Sequence, residues 1–334
     1  MNEVRYCPGT LAEGFTSYSP ACLRRMFNGK KVSHILPYQS PGTNEEDREL
    51  FIENRKRISI SGVQEKVSLV LEKNKLRLTR PGEQGTYLLK PIPVDLKNIS
   101  QVPANEHLTM QIARQVYGIN TAENALIFFK DGSPAYITRR FDIRNDSLKW
   151  GTEDFASLAG KTSENAGVNF KYDYSYQQLA GLIRSYVPAH RVEIEKFFSR
   201  VVFNYLFSNG DAHLKNFSLV QTPSGDHMLS PAYDLVNTRI HVDDTDFALN
   251  EGLFIDDYMS PHMLANGRAG FEDFREFARR IGIVDRRMDT LLAPFVQKQE
   301  LVDLLISRSF LNDATKKTYW EHYQTRLSQL DTKI

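Results

Sequence analysis

The stretch Gly210-Asp211-Ala212-His213-Leu214-Lys215-Asn216 decides how the rest of this chain is read. An aspartate followed five residues later by an asparagine has the spacing of a kinase catalytic loop. There the carboxylate takes the proton of an acceptor hydroxyl and the amide oxygen holds Mg²⁺. Such a pair also arises by chance in a chain of 334 residues, so its surroundings carry the argument. Upstream, EIEKFFSRVVFNYLF places Ile194, Phe197, Phe198, Val201, Val202, Tyr205 and Leu206 on one stripe, the pattern of a buried helix that stops at Asn209-Gly210. Downstream, FSLV and HMLS flank Pro223-Ser224-Gly225 and read as a hairpin. The hairpin leads to Ser230-Pro231-Ala232-Tyr233-Asp234-Leu235, which sets a second aspartate where a phosphoryl-transfer site keeps its metal ligand. Taken alone, Asp234 reads as a turn aspartate or a helix cap.

Before this helical region lies a smaller pattern of strands. VSLVLEKNKLRLTR alternates across Glu72–Lys75 and predicts a hairpin, and TYLLKPIP predicts a short strand closed by its prolines. PANEHLTMQIARQVYG repeats Leu108, Ile112 and Val116 at helical spacing and stops at Gly118. NALIFFKDGSPAYITRRF turns at Lys130–Ser133 as a second hairpin. Residues 58–141 thus read β-β-β-α-β-β. Lys90, on the third strand, has the place of a lysine that clamps nucleotide phosphates, and Glu106 in the following helix is the carboxylate that would orient it. In isolation the pair reads as a solvated lysine and a glutamate favouring a helix dipole. Ahead of the first strand, Ser61-Gly62-Val63-Gln64-Glu65-Lys66 is a polar turn whose glycine admits close approach of backbone N–H groups to a phosphate. A single glycine is far from a P-loop, and an ordinary β-turn fits it as well.

Residues 1–57 carry scattered Gly, Pro and Ser, a short helix at Pro20–Phe27 and a charged helical stretch at Thr43–Arg57, and read as a loosely structured lead-in. The organisation expected is this lead-in, an N-lobe over 58–145 and a larger, mostly helical C-lobe over 146–334 that includes FEDFREFARRIG and MDTLLAPFVQ. Forty-two basic against 41 acidic residues give a net charge of +1, which offers no support for direct nucleic-acid binding. The two cysteines, Cys7 and Cys22, are too few for a four-cysteine zinc site and fit reduced thiols. No apolar run reaches 18 residues and the first 30 lack a signal-peptide core, so a cytoplasmic protein without a membrane span is expected.

SISGVQEK, TYLLKP, NEHLTMQIA, YITRRFD, NGDAHLKNFSL and SPAYDL together resemble the HipA-like serine/threonine kinases, the toxins of bacterial toxin–antitoxin modules. The resemblance runs from about Ile58 to the C-terminus. It implies an α+β, two-lobed, protein-kinase-like fold that uses ATP and Mg²⁺. It makes Asp211 the catalytic base, makes Asn216 and Asp234 the Mg²⁺ ligands, and has Lys215 neutralise the transferring phosphoryl group. Lys90 would contact the ATP phosphates, the Ser61–Lys66 loop would cover them, and Phe141 and Tyr233 would lie by the adenine. Glu106 and His213 would support the site. Arg139 stands where the family commonly has a glutamate that accepts from the adenine amino group. An arginine side chain accepts nothing, so adenine recognition would rest on backbone groups.

Ser59 lines up with the serine that this family autophosphorylates, and Ser61 offers a second hydroxyl. A phosphate there would repel ATP from the loop, whereas unmodified serines would only satisfy a tight turn. Only 57 residues precede the SISG motif, so the chain is similar to the short HipT-type toxins, whose missing subdomain a small HipS-like protein supplies. The resemblance further implies a helix-turn-helix HipB-like antitoxin, DNA contact only through it, and an aminoacyl-tRNA synthetase as substrate. Alternatives left open are a small-molecule kinase, a nucleotide-binding pseudokinase scaffold or co-repressor, and a metal-dependent phosphodiesterase on Asp211, His213 and Asp234.

Overall fold

The computed structural model describes residues 4–41, 66–93, 96–144 and 148–331. The chain divides into two compact units: unit 1 takes Met1–Ile112, Ala122–Leu148 and Val302–Lys317, and unit 2 takes Ala113–Thr121, Lys149–Leu301 and Thr318–Ile334.

Unit 1 is built on a five-stranded antiparallel sheet of β1 (Val67–Glu72), β2 (Lys75–Leu78), β3 (Tyr87–Lys90), β4 (Asn124–Phe128) and β5 (Pro134–Arg139), in the order β2-β1-β3-β5-β4. Both expected hairpins form, with Glu72 facing Lys75 and Phe128 facing Pro134 at their tips. The register of β3 against β5 pairs Lys90 with Tyr136.

The expected loose lead-in is corrected for its described part. Residues 4–41 are built into the core of unit 1: Cys7, Tyr18, Cys22, Met26, Phe27, Val32 and Leu36 cluster with Leu69, Leu89, Ala125, Ile127 and Ile137 of the sheet. Helix α1 (Pro20–Phe27) forms as expected, because Ser19 caps it by accepting from Cys22 N–H and Pro20 opens it. Main-chain bonds tie the segment to the sheet: Leu126 donates to Pro8, Phe128 to His34 and Leu36 to Phe128, each at 2.8 Å. Apolar residues spaced with neither a period of two nor one of 3.6 made this packing invisible to pattern reading. The helix expected over Thr43–Arg57 lies outside the described residues.

Helix α2 (Val102–Gln115) follows β3 and is buried through Val102–Ala113, polar side chains included. Thr109 donates to its own helix at the Asn105 carbonyl, and Gln111 donates to Asn124 Oδ1 at 2.9 Å. Buried polar atoms with partners keep such a helix from costing stability.

Unit 2 carries α3 (Phe155–Leu158), α4 (Ser163–Ala166), α5 (Tyr176–Tyr186), α6 (His190–Leu206), α7 (Pro261–Asn266), α8 (Phe271–Arg280) and α9 (Asp285–Leu292). Helix α10 (Glu300–Arg308) and helix α11 (Asp313–Leu330) complete the chain, with residues 302–317 grouped into unit 1. There Phe310 packs on Phe128, and Arg308 pairs with Glu13 at 2.6 Å. The stripe expected on α6 is buried throughout. The hairpin after the Asp/Asn loop is β7 (Ser218–Gln221) and β8 (His227–Leu229), and a third strand, β6 (Thr152–Asp154), pairs with β7. No helix among the described residues is long and apolar enough to cross a membrane.

Candidate active site

Helix α6 fixes the ground on which the site of unit 2 stands. Its buried Glu193 accepts from Leu229 N–H at 3.1 Å, and its buried Arg200 donates to the Ser230 carbonyl. Two polar side chains from one helix thus pin the end of β8, where the Ser230–Leu235 segment begins. That segment is also bridged to Asn120 and Thr121, with Ala232 N–H donating to the Asn120 carbonyl at 2.8 Å.

The loop after α6 turns through Ser208, whose φ is +52°. Asn209 then acts as a clamp. Its Oδ1 accepts from Asp211 N–H at 3.3 Å, and its Nδ2 donates to Asn204 Oδ1 at 2.9 Å and to the Asp234 carbonyl at 3.4 Å. One amide side chain therefore ties the backbones of both candidate aspartates. Gly210 donates to Thr238 Oγ1 at 2.8 Å, and a Cβ there would sit 2.5 Å from the Asp244 carboxyl carbon and 2.6 Å from the Thr245 carbonyl. The glycine is required for close approach, not for an unusual φ.

Asn216 Nδ2 donates to the Asp211 carbonyl at 2.9 Å, which closes the loop upon itself through the amide nitrogen. Tyr233 donates its phenol to the Lys215 carbonyl at 2.9 Å and accepts from Ser218. The residue placed beside the adenine on the resemblance thus ties Asp234's segment to the Asp211–Asn216 loop. Burial pushes the Tyr233 phenol up, so it stays a neutral donor. Asp234 itself adopts φ +54°, a left-handed backbone that an aspartate tolerates at some cost and that clusters at functional sites.

Asp211 keeps its side chain about half exposed, and its Oδ1 accepts from the Tyr172 phenol at 2.8 Å. His213 Nε2 lies 3.9 Å from the same oxygen. Burial lowers the pKa of His213 while Asp211 opposes, so the imidazole favours its neutral form, and its ring meets Tyr172 edge-on. Lys215 projects over the Phe170 ring at 6.0 Å. Nearby Asp244 has its carboxyl pushed up by burial, with Asp211 adding to the shift.

Unit 1 holds the other expected pair. Lys90 Nζ meets Glu106 Oε1 at 2.6 Å with both side chains 4% exposed or less, and the ammonium lies 5.3 Å from the Tyr136 ring centroid. The solvated reading of this lysine is excluded. Arg139 donates to Asn28 Oδ1 at 2.7 Å and to the Arg25 carbonyl at 3.2 Å, so its guanidinium is spent on the C-terminus of α1. Phe141 and Lys66 are half-buried at the end of β5 and the start of β1. Ser59, Ser61, Gly62, Val63, Gln64 and Glu65 lie outside the described residues.

Among the described residues no group of three or more His, Cys, Asp or Glu is arranged to hold a metal. Asp234 and Asn216 would offer one carboxylate and one amide oxygen, a hard and sparse donor set. It fits Mg²⁺, which keeps waters and substrate phosphates in its remaining positions. Sequence reasoning missed Tyr172, Asn209 and Thr238. Asn209 was visible only as a helix stop, and nothing in the spacing pointed to a tyrosine 39 residues before Asp211.

Among solved structures, the chain matches one from the Shewanella oneidensis MR-1 complex of HipA, HipB and operator DNA. The TM-score is 0.64 at 22% identity, over 87% of this chain and 72% of that one. It also matches the Helicobacter pylori proinflammatory kinase CtkA, with a TM-score of 0.52 at 15% identity, over 81% and 92%. The fold is therefore the α+β, protein-kinase-like fold of these proteins. Residues 58–301 match the HipA-like C-terminal domain, and the chain belongs to that family. A putative kinase of Haemophilus influenzae is 26% identical over 96% of this chain and 94% of its own length. The putative kinase Y4dM of Sinorhizobium fredii is 30% identical over 64% of this chain, and the serine/threonine-protein kinase toxin HipA of Shewanella oneidensis is 26% identical over 82%. This chain spans 54% and 63% of those two longer proteins.

Proposed function

We propose that this chain is an ATP-dependent serine/threonine protein kinase, a cytoplasmic toxin of a bacterial toxin–antitoxin module of the short HipT type. The observation that carries the reading is the Asn209 clamp: one side chain ties Asp211 and Asp234, while Asn216 closes the same loop. The buried Lys90–Glu106 pair supports it, since a charged pair this dry is costly to keep without a task.

In this reading Asp211 accepts the proton of a serine or threonine hydroxyl as that oxygen attacks the γ-phosphorus of ATP, and the bond to the β-phosphate oxygen breaks to release ADP. Lys215 offsets the charge on the transferring group, and Lys90, oriented by Glu106, holds the phosphates. Asn216 and Asp234 would hold Mg²⁺, which would supply charge neutralisation for the phosphates. Phe141 and Tyr233 flank the adenine, and backbone groups read its edge. The acceptors are Ser59, just ahead of the phosphate-covering loop, or Ser61 at its start in cis, and an aminoacyl-tRNA synthetase in trans. The partners are a HipB-like antitoxin, which brings the complex to DNA, and a small HipS-like protein.

The test is transfer of label from γ-labelled ATP to a panel of purified aminoacyl-tRNA synthetases, with Asp211→Asn alongside. Label in one synthetase, lost in the variant, is the expected result. Tight ATP binding with no label in any acceptor would contradict the proposal and favour a nucleotide-binding scaffold.

A further inference from the structure

The turn Phe170–Tyr172 and the start of α5 bring three aromatic side chains onto the Asp211–Asn216 loop, and the catalytic reading assigns none of them a task. Phe170 lies under the Lys215 ammonium. Tyr172 donates to Asp211 Oδ1 at 2.8 Å, and Tyr176 donates to the Ala212 carbonyl at 2.9 Å. The segment is itself held firmly. Tyr172 N–H donates to Asn169 at 2.9 Å, its carbonyl accepts from Asn250 at 2.8 Å, and Glu251 N–H donates to Tyr174 at 3.3 Å. Lys171 Nζ sits 4.7 Å from the Tyr172 ring centroid. Burial, with Asp211 adding to it, pushes the Tyr172 phenol up, so the group is a neutral donor and never a competing anion.

We propose that Tyr172 is a positioning residue for phosphoryl transfer: its phenol holds Oδ1 of Asp211 so that Oδ2 is presented to the acceptor hydroxyl. The proposal rests on the kinase reading above. A carboxylate on a half-exposed side chain turns freely unless one oxygen is tied, and a base that turns is rarely in line with the proton it must accept. Oδ1 is tied here, whereas Oδ2 accepts no hydrogen bond from the described residues and the side chain keeps about half its exposure. Tyr172 acts on Asp211, so its contribution belongs to the rate of transfer and not to nucleotide binding.

The experiment compares wild type with Tyr172→Phe, and with a chain carrying 4-aminophenylalanine at position 172, which restores an N–H donor on an unchanged ring. Phosphoryl transfer is followed as label incorporated into the chain or a synthetase over a range of ATP concentrations, with thermal unfolding recorded for each protein. Tyr172→Phe is expected to lower kcat by about 10- to 100-fold, the worth of a hydrogen bond to a charged group. KM for ATP should stay within about twofold if the effect is confined to the transfer step. The amino variant should recover most of the loss. Unchanged kcat in Tyr172→Phe overturns the proposal, and so does a rise, which would make the phenol a block on the acceptor's place. A loss that tracks a lowered Tm and is not rescued by the amino group marks a merely structural role and also overturns it. A wild-type chain that transfers no phosphoryl group at all fails the kinase reading first and the proposal with it.

Discussion

His107 illustrates what burial does to a single ionisable side chain. It lies in α2 with no exposed surface, its Nε2 donates to the Gly9 carbonyl at 3.3 Å, and its Nδ1 has no partner. Burial pulls its pKa from 6.5 down to about 4, the Gly9 bond opposing only in part. The folded chain therefore keeps this ring neutral while the unfolded chain takes a proton near pH 6.5. Stability from this group is complete above pH 6.5 and falls as the pH drops toward 4. Linkage puts the loss at about 2 kcal/mol by pH 5. Urea unfolding at pH 7.5 and 5.0 should show that slope in wild type and a shallower one in His107→Gln; equal slopes would contradict it. At this scale the sequence was an uneven guide. Lys90 and Glu106 stood out by position, and the structure pairs them. The partners of Asp211 did not stand out, because a phenol that meets a carboxylate across 39 residues leaves no periodicity to read.

Elements were legible where burial is one-sided. The stripe on α6, the hairpins of β1–β2, β4–β5 and β7–β8, and helix α8 all fall where their patterns put them. Two elements escaped for physical reasons. Strand β6 is three residues long and mostly exposed, so Thr152, Glu153 and Asp154 carry no alternation; its pairing is dictated by β7. The packing of residues 4–41 rests on isolated anchors such as Phe27 and Tyr18, whose phenol donates to the Leu126 carbonyl at 2.7 Å. The turn between α6 and β7 shows how an element boundary is enforced. Gly210 leaves no room for a Cβ against Asp244 and the Thr245 backbone, and a backbone carbonyl cannot swing aside. Gly210→Ala should cost about 1–3 kcal/mol, the range for overpacking a filled site. It should also slow phosphoryl transfer by displacing Asp211. Chemical unfolding checks the first and label incorporation the second; a variant as stable and as fast as wild type would contradict the packing argument.

At the scale of the whole molecule, the family match covers residues 58–301, whereas the structure spends residues outside that span on unit 1 as well. Residues 4–41 fill its core and residues 302–317 join it. That return of the chain was not legible, because residues 302–317 read only as part of a mostly helical C-lobe over 146–334, and periodicity does not say which neighbour a face will meet. The intact mass of the protein before and after incubation with ATP and Mg²⁺ reads directly whether this chain is a self-modifying kinase. A gain of one or two phosphates that map to Ser59 and Ser61 and are absent from Asp211→Asn is expected. An unmodified starting mass that never changes, while ATP binds, would contradict it.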